Sequence, residues 1–103
     1  MNLTVFPSVI TDKGVDELEN FTEQYQMNSF LSPEKLARFQ TLMVTYYMQT
    51  GNIIHKSMFE EVKSKLQNLS DGSSSYVQKS IEFLYKSGCI VKNPKYTLLE
   101  DEV

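Results

Sequence analysis

The tripeptide Ser32-Pro33-Glu34 constrains this chain more than any other feature, because it fixes where a long helix begins. A Ser N-cap accepts from an orphan backbone N–H, Pro suits the first helical position, and Glu complements the positive end of the helix dipole. Leu36, Phe39, Met43, Tyr46, Tyr47 and Thr50 then fall on one face, with Arg38, Thr45 and Gln49 opposite, until Gly51 and Asn52 end the run. In a chain of 103 residues, one ordinary domain's worth, a helix of that length is the element on which the others must pack.

The same periodicity predicts more helices. Met58, Phe59, Val62, Leu66 and Leu69 mark an amphipathic helix from about His55 to Leu69, broken by Asp71-Gly72. Ser73, Ser74 and Ser75 supply caps for another. Val77, Ser80, Ile81 and Leu84 are its expected inner stripe and Lys79, Glu82 and Lys86 its outer one, and Gly88 stops it. Beyond Gly88 the period changes from 3.6 to about 2. Ile90 and Lys92 alternate on one arm, Tyr96 and Leu98 on the other, and Asn93-Pro94 lies between them, a pattern that predicts a β-hairpin. Upstream, Leu3 to Ile10 is β-branched and apolar, but Pro7 removes a ladder donor and leaves only a short or edge strand with no obvious partner. After an Asp12-Lys13-Gly14 turn, Val15, Leu18, Phe21 and Tyr25 follow helical spacing, with Asp16, Glu17 and Glu19 in the first turn.

Three helices and a terminal hairpin predict a mainly α fold with a small β-hairpin. The expected form is a winged helix-turn-helix, a three-helix core plus a C-terminal wing. The expected organisation is an N-terminal arm over 1–31 with a short strand and a short acidic helix, a winged-helix domain over 32–99, and an acidic tail over 100–103.

Charge is distributed unevenly. The whole chain carries a net charge of −3, but residues 55–97 hold seven basic and four acidic side chains between two acidic ends. The overall balance argues against binding nucleic acid by bulk electrostatics, while the basic middle keeps local contact open. Cys89 is the single cysteine, so no intrachain disulfide can form, and the expected setting is a reducing one, cytoplasm or nucleus. No stretch reaches the ~18–20 apolar residues of a membrane span, so no membrane partner is expected.

Catalysis needs a nucleophile, a base and an orienting group, or a metal cluster. The chain offers one His and one Cys, His55 and Cys89, and its four glycines stand singly rather than in a phosphate-cradling loop. His55 reads as a helix start and Cys89 as a small core residue; no catalytic, cofactor or metal site is expected, and the chain is not read as an enzyme. The positions that point to a macromolecular partner, protein or DNA, are Ser75, Gln78, Lys79, Glu82, Lys86, Lys92 and Lys95. A solvated helix face is the plain alternative. Arg38, the only arginine, lies outside this element, so bidentate base contacts would fall to Gln78. Met48 stands apart. At about 100° per residue it lies ~140° from the centre of its helix's apolar stripe, which places a bulky apolar side chain near solvent.

Taken in order, Gln40-Thr41-Leu42-Met43-Val44, His55, Glu61-Val62 with Leu66, Val77-Gln78-Lys79-Ser80-Ile81-Glu82-Phe83-Leu84 and Tyr96 resemble a known pattern. Residues 34–99 look like the C-terminal winged-helix domain of the cullins, the scaffold subunits of multi-subunit ubiquitin ligases. The resemblance implies a non-catalytic protein-interaction module whose partners are a RING subunit or a conjugating enzyme. It also places Met48 where the family carries the lysine conjugated to Nedd8, and methionine cannot form an isopeptide bond. The Glu100-Asp101-Glu102-Val103 tail extends past the usual cullin end. The rival reading is a small DNA-binding winged-helix regulator of phage, plasmid or viral type, with the 73–87 helix in the major groove and the wing on phosphates. A helix-mediated homodimer is a third.

Overall fold

The helix that opens at Ser32-Pro33 is the centre of the molecule. The computed structural model describes residues 7–28, 30–69 and 73–95, in the order β1 (Ser8–Ile10), α1 (Asp12–Asn28), α2 (Pro33–Thr50), α3 (Lys56–Gln67), α4 (Ser73–Ser87) and β2 (Ile90–Lys92). Ser32 is extended and its Oγ accepts from the Lys35 N–H at 3.3 Å, with Pro33 in the first turn of α2. At the other end Gly51 adopts φ 80° and donates its N–H to the Tyr47 carbonyl at 2.7 Å. A Cβ at Gly51 would meet nothing within 4 Å, so any penalty there is purely backbone. Gly51→Ala is therefore expected to cost about 1 kcal/mol of stability in a urea melt, the left-handed penalty alone.

α1, α3, α4 and β1 all pack on α2. As a result α2 is covered on more than its apolar face, which corrects the expected division into inside and outside. Thr45 is only 1% exposed, and its hydroxyl donates to the Thr41 carbonyl at 2.8 Å. Gln49 reaches β1, where its Oε1 accepts from the Ile10 N–H at 2.8 Å. Arg38 lies over the Phe83 ring of α4, 3.7 Å from its centroid. All three residues set opposite the core by periodicity are thus packing or bonding residues.

The expected arm contributes to the same core as the rest. Ile10, Leu18, Phe21 and Tyr25 are buried with Phe39, Leu42, Val62, Leu66, Leu84 and Ile90. The expected turn at Asp12-Lys13-Gly14 is instead the first turn of α1, a helix of 17 residues. Thr11 explains the early start. Its Oγ accepts from the Gly14 N–H at 3.1 Å, and its carbonyl accepts from the Val15 N–H at 2.9 Å.

A small antiparallel sheet is present, and it joins the two ends of the described chain. β2 pairs with β1 in the register Ser8↔Lys92, Val9↔Val91 and Ile10↔Ile90, so the upstream strand finds its partner here. Tyr96 and Leu98, the expected second arm of the hairpin, lie outside the described residues. After β2 the Asn93 side-chain carbonyl accepts from the Lys95 N–H at 3.0 Å, and Pro94 and Lys95 take helical backbone geometry. α3 and α4 follow the predicted spans to within two residues. The inner stripe of α4 is narrower than expected: Ser80 and Leu84 are buried, Val77 is half-buried, and Ile81 is 38% exposed.

Candidate functional site

α4 is held by one edge. Ser80 and Leu84 anchor it against α2, and the residues on the far side are exposed. Ser75, Gln78, Lys79, Glu82 and Lys86 are all exposed, and at ~100° per residue they fall within one stripe opposite that anchor. The five helical positions singled out from the sequence therefore do share a face. Lys92 and Lys95 are also exposed, but they belong to another part of the surface. Lys92 is two residues from buried Ile90 and directly across from Ser8, so it leaves the sheet on the side of those two residues. Lys95 lies beyond the strand end, where the Asn93 N–H donates to the Pro7 carbonyl at 2.8 Å.

The α4 surface is also more apolar than its inner stripe predicted. Phe83 and Tyr85 are 45% and 38% exposed, so with Ile81 three large apolar side chains flank the charged stripe. The missed signal was their position: Phe83 and Tyr85 lie between the two expected stripes and Ile81 at the edge of the inner one, where a helix held by one edge leaves side chains half-covered. Met48 is 43% exposed, one turn beyond Val44 on α2.

Acidic and basic side chains gather on different elements. Asp12, Asp16, Glu19 and Glu23 form an exposed ridge along α1, while Lys79, Lys86, Lys92 and Lys95 are carried by α4 and the chain after it. His55 and Cys89 do not converge. His55, exposed and at positive φ of 52°, borders a depression with Asp16, Glu19 and Glu23. Cys89 is buried in the α1–α4 joint, where its Sγ receives the Ser87 hydroxyl at 3.4 Å. Among the described residues no three His, Cys, Asp or Glu side chains are grouped to hold a metal ion, and no helix is long and apolar enough to cross a membrane.

A groove that periodicity did not reveal lies between α2, α4 and β1. It encloses about 330 Å³ and is walled by Thr41, Val44, Val77 and Ile81, with Ser8 and Tyr85 at its strand end. Comparison with protein-family models, with curated proteins and with solved structures found no match.

Proposed function

We propose that this chain is a non-catalytic winged-helix protein-interaction module, similar to the C-terminal domain of a cullin scaffold, that docks a protein partner through α4. The observation that carries this reading is the composition of the α4 surface, where Lys79, Glu82 and Lys86 stand beside half-exposed Ile81, Phe83 and Tyr85. Mixed charge with aromatic and aliphatic anchors suits a protein surface better than a phosphate backbone. By the same resemblance the partner is a RING subunit or a conjugating enzyme, and the compartment is cytoplasm or nucleus. Met48, exposed at the family's modification position, leaves that position without an acceptor amine.

One observation favours a second reading. Ser75, Gln78 and Lys79 project together from the first half of α4, as the groove-reading residues of a helix-turn-helix do. A DNA-binding regulator would use them on base edges and Lys86, Lys92 and Lys95 on phosphates.

The test is a pair of titrations. Binding of a purified RING subunit with its conjugating enzyme is expected to weaken about ten-fold in the Lys79→Glu/Lys86→Glu double variant, with steeper salt dependence in the wild type than in the variant. Duplex DNA is expected to bind no better than the ~10⁻⁴–10⁻⁶ M of non-specific contact at physiological salt. Specific duplex affinity that falls steeply with salt would transfer the assignment to the regulator. Sedimentation velocity addresses the homodimer, which would show as a concentration-dependent shift.

A further inference from the structure

Arg38 of α2 lies half-buried over the Phe83 ring of α4, its guanidinium carbon 3.7 Å from the centroid. A guanidinium held this way keeps its N–H donors available, and their planar fork matches a carboxylate with two parallel hydrogen bonds. Among the described residues Arg38 forms no ion pair. It lines a small pocket together with Lys13 and Glu17 of α1 and with Phe83 and Ser87 of α4. Lys13 and Glu17 also form no ion pair with a described residue.

Two more cations border the same ring. Lys79 and Lys86 stand one helical turn before and one after Phe83, so they are its neighbours on the surface of α4, and both are exposed. Glu82 lies between these two lysines, on the side of α4 away from α2. Four cations against Glu17 and Glu82 leave a positive surplus around one exposed aromatic ring, which is complementary to an acidic surface.

Size and charge narrow the occupant of the pocket. Its volume is about 180 Å³, below the ~300–1,000 Å³ of small-molecule sites, so it admits the head of one side chain. Lys13 and Arg38 against Glu17 leave a single net positive charge, which one carboxylate neutralises. A phosphoryl group would bring about −1.5 to −2 beside Glu17.

We infer that α4 docks an acidic peptide segment of its partner, with one carboxylate seated in the pocket at Arg38 and Lys13 and neighbouring acids on Lys79 and Lys86. This rests on the reading of α4 as a protein-docking helix and adds the chemistry that the partner carries.

An acetylated and amidated hexaglutamate peptide is the probe, titrated into the full chain at low salt and followed by NMR at the amides and the Arg38 Nε–H. Saturable shifts are expected at Arg38, Phe83 and Ser87, with a Kd on the order of 1 mM that weakens as added salt screens the charges. Arg38→Gln is expected to weaken binding about ten-fold and Arg38→Lys about three-fold, since lysine keeps the charge but loses the fork. Lys63→Gln removes an exposed charge of α3 outside the pocket and is expected to change binding less than about two-fold. Glu17→Gln is expected to tighten binding about three-fold, a gain that a folding defect cannot produce. The Lys79→Glu/Lys86→Glu variant separates this inference from the reading beneath it. If that variant abolishes peptide binding while Arg38→Gln and Glu17→Gln leave it unchanged, α4 keeps its docking role and the pocket inference is overturned. The inference also falls if no saturable shifts occur, if the shifts centre away from Phe83, if Arg38→Gln weakens binding no more than Lys63→Gln, or if replacing one glutamate of the peptide by phosphoserine tightens binding more than about ten-fold.

Discussion

Phe39→Ala is expected to lower the unfolding free energy by about 3–5 kcal/mol, a large share of the ~5–15 kcal/mol that holds a domain together. Phe39 is fully buried at the α1–α2 contact. Its ring centroid lies 5.7 Å from that of Phe21 and 6.1 Å from that of Tyr25, both tilted. The loss extends beyond one cavity. Tyr25 also donates its hydroxyl to Glu61 of α3 at 2.9 Å, and Lys65 lies over its ring with Nζ 4.8 Å from the centroid. Removing the Phe39 ring therefore loosens α1 against α2 and slackens the support of Tyr25, which ties α1 to α3. Urea melts monitored by circular dichroism measure the change directly. Phe83→Ala, at a half-exposed ring that carries the Arg38 guanidinium over its face, provides the contrast, with an expected loss of about 1 kcal/mol or less. A Phe39→Ala loss as small as that of Phe83→Ala would mean that the aromatic trio is not the core.

The contrast between these two rings also shows what was legible in the sequence. α2 could be read almost to the residue because both its ends are written in local chemistry, the Ser32 cap and the left-handed Gly51. Leu18, Phe21 and Tyr25, Val62 and Leu66, and Leu84 are buried as their spacing indicates. Local pattern stops being informative where a second surface intervenes. Periodicity assigns a helix one inside face, yet α2 receives α1, α3, α4 and β1 on several sides, so Thr45 is buried and Arg38 is stacked. The pairing of β1 with β2 was not readable either. Each strand has three residues, too few for a pattern, and their register is set by Thr11 and Cys89 rather than by a turn.

The candidate site divides along the same line. The stripe Ser75, Gln78, Lys79, Glu82 and Lys86 was legible because an exposed helical face depends only on phase. The groove was not. Its strand end requires Ser8 and Tyr85 to meet across 77 positions of sequence, and nothing local in either segment records that contact. Lys92 illustrates both halves of the problem. Its sequence context marks it as a surface cation, and it is exposed, but its pairing with Ser8 of β1 sets it apart from the α4 stripe.

Gly14→Ala gives the sharpest reading of the joint between α1 and the segment that leads into β2. In an exposed helix interior the same substitution gains about 1 kcal/mol, because alanine is the better helix former. Here the sign is expected to reverse. A Cβ on Gly14 would lie 2.1 Å from the Cys89 carbonyl oxygen and 2.6 Å from Ile10 Cγ1. The isoleucine can rotate, but the carbonyl is fixed: it accepts from the Thr11 N–H at 2.9 Å and from the Thr11 hydroxyl at 3.0 Å. Relief requires α1 to lift off the segment between α4 and β2, at an expected net cost of about 1–3 kcal/mol. Hydrogen exchange locates the damage. The amides of Thr11 and Asn93, which bridge the two ends of the chain, are expected to lose protection, while those in the middle of α2 keep it. Gly14→Ser should behave like Gly14→Ala, since the clash is at Cβ and the added hydroxyl does not relieve it. A stabilised Gly14→Ala protein with unchanged exchange at Thr11 would mean that α1 begins beyond the sheet, as the turn predicted from sequence had it. In that case the pairing of β2 with β1 would need a different support.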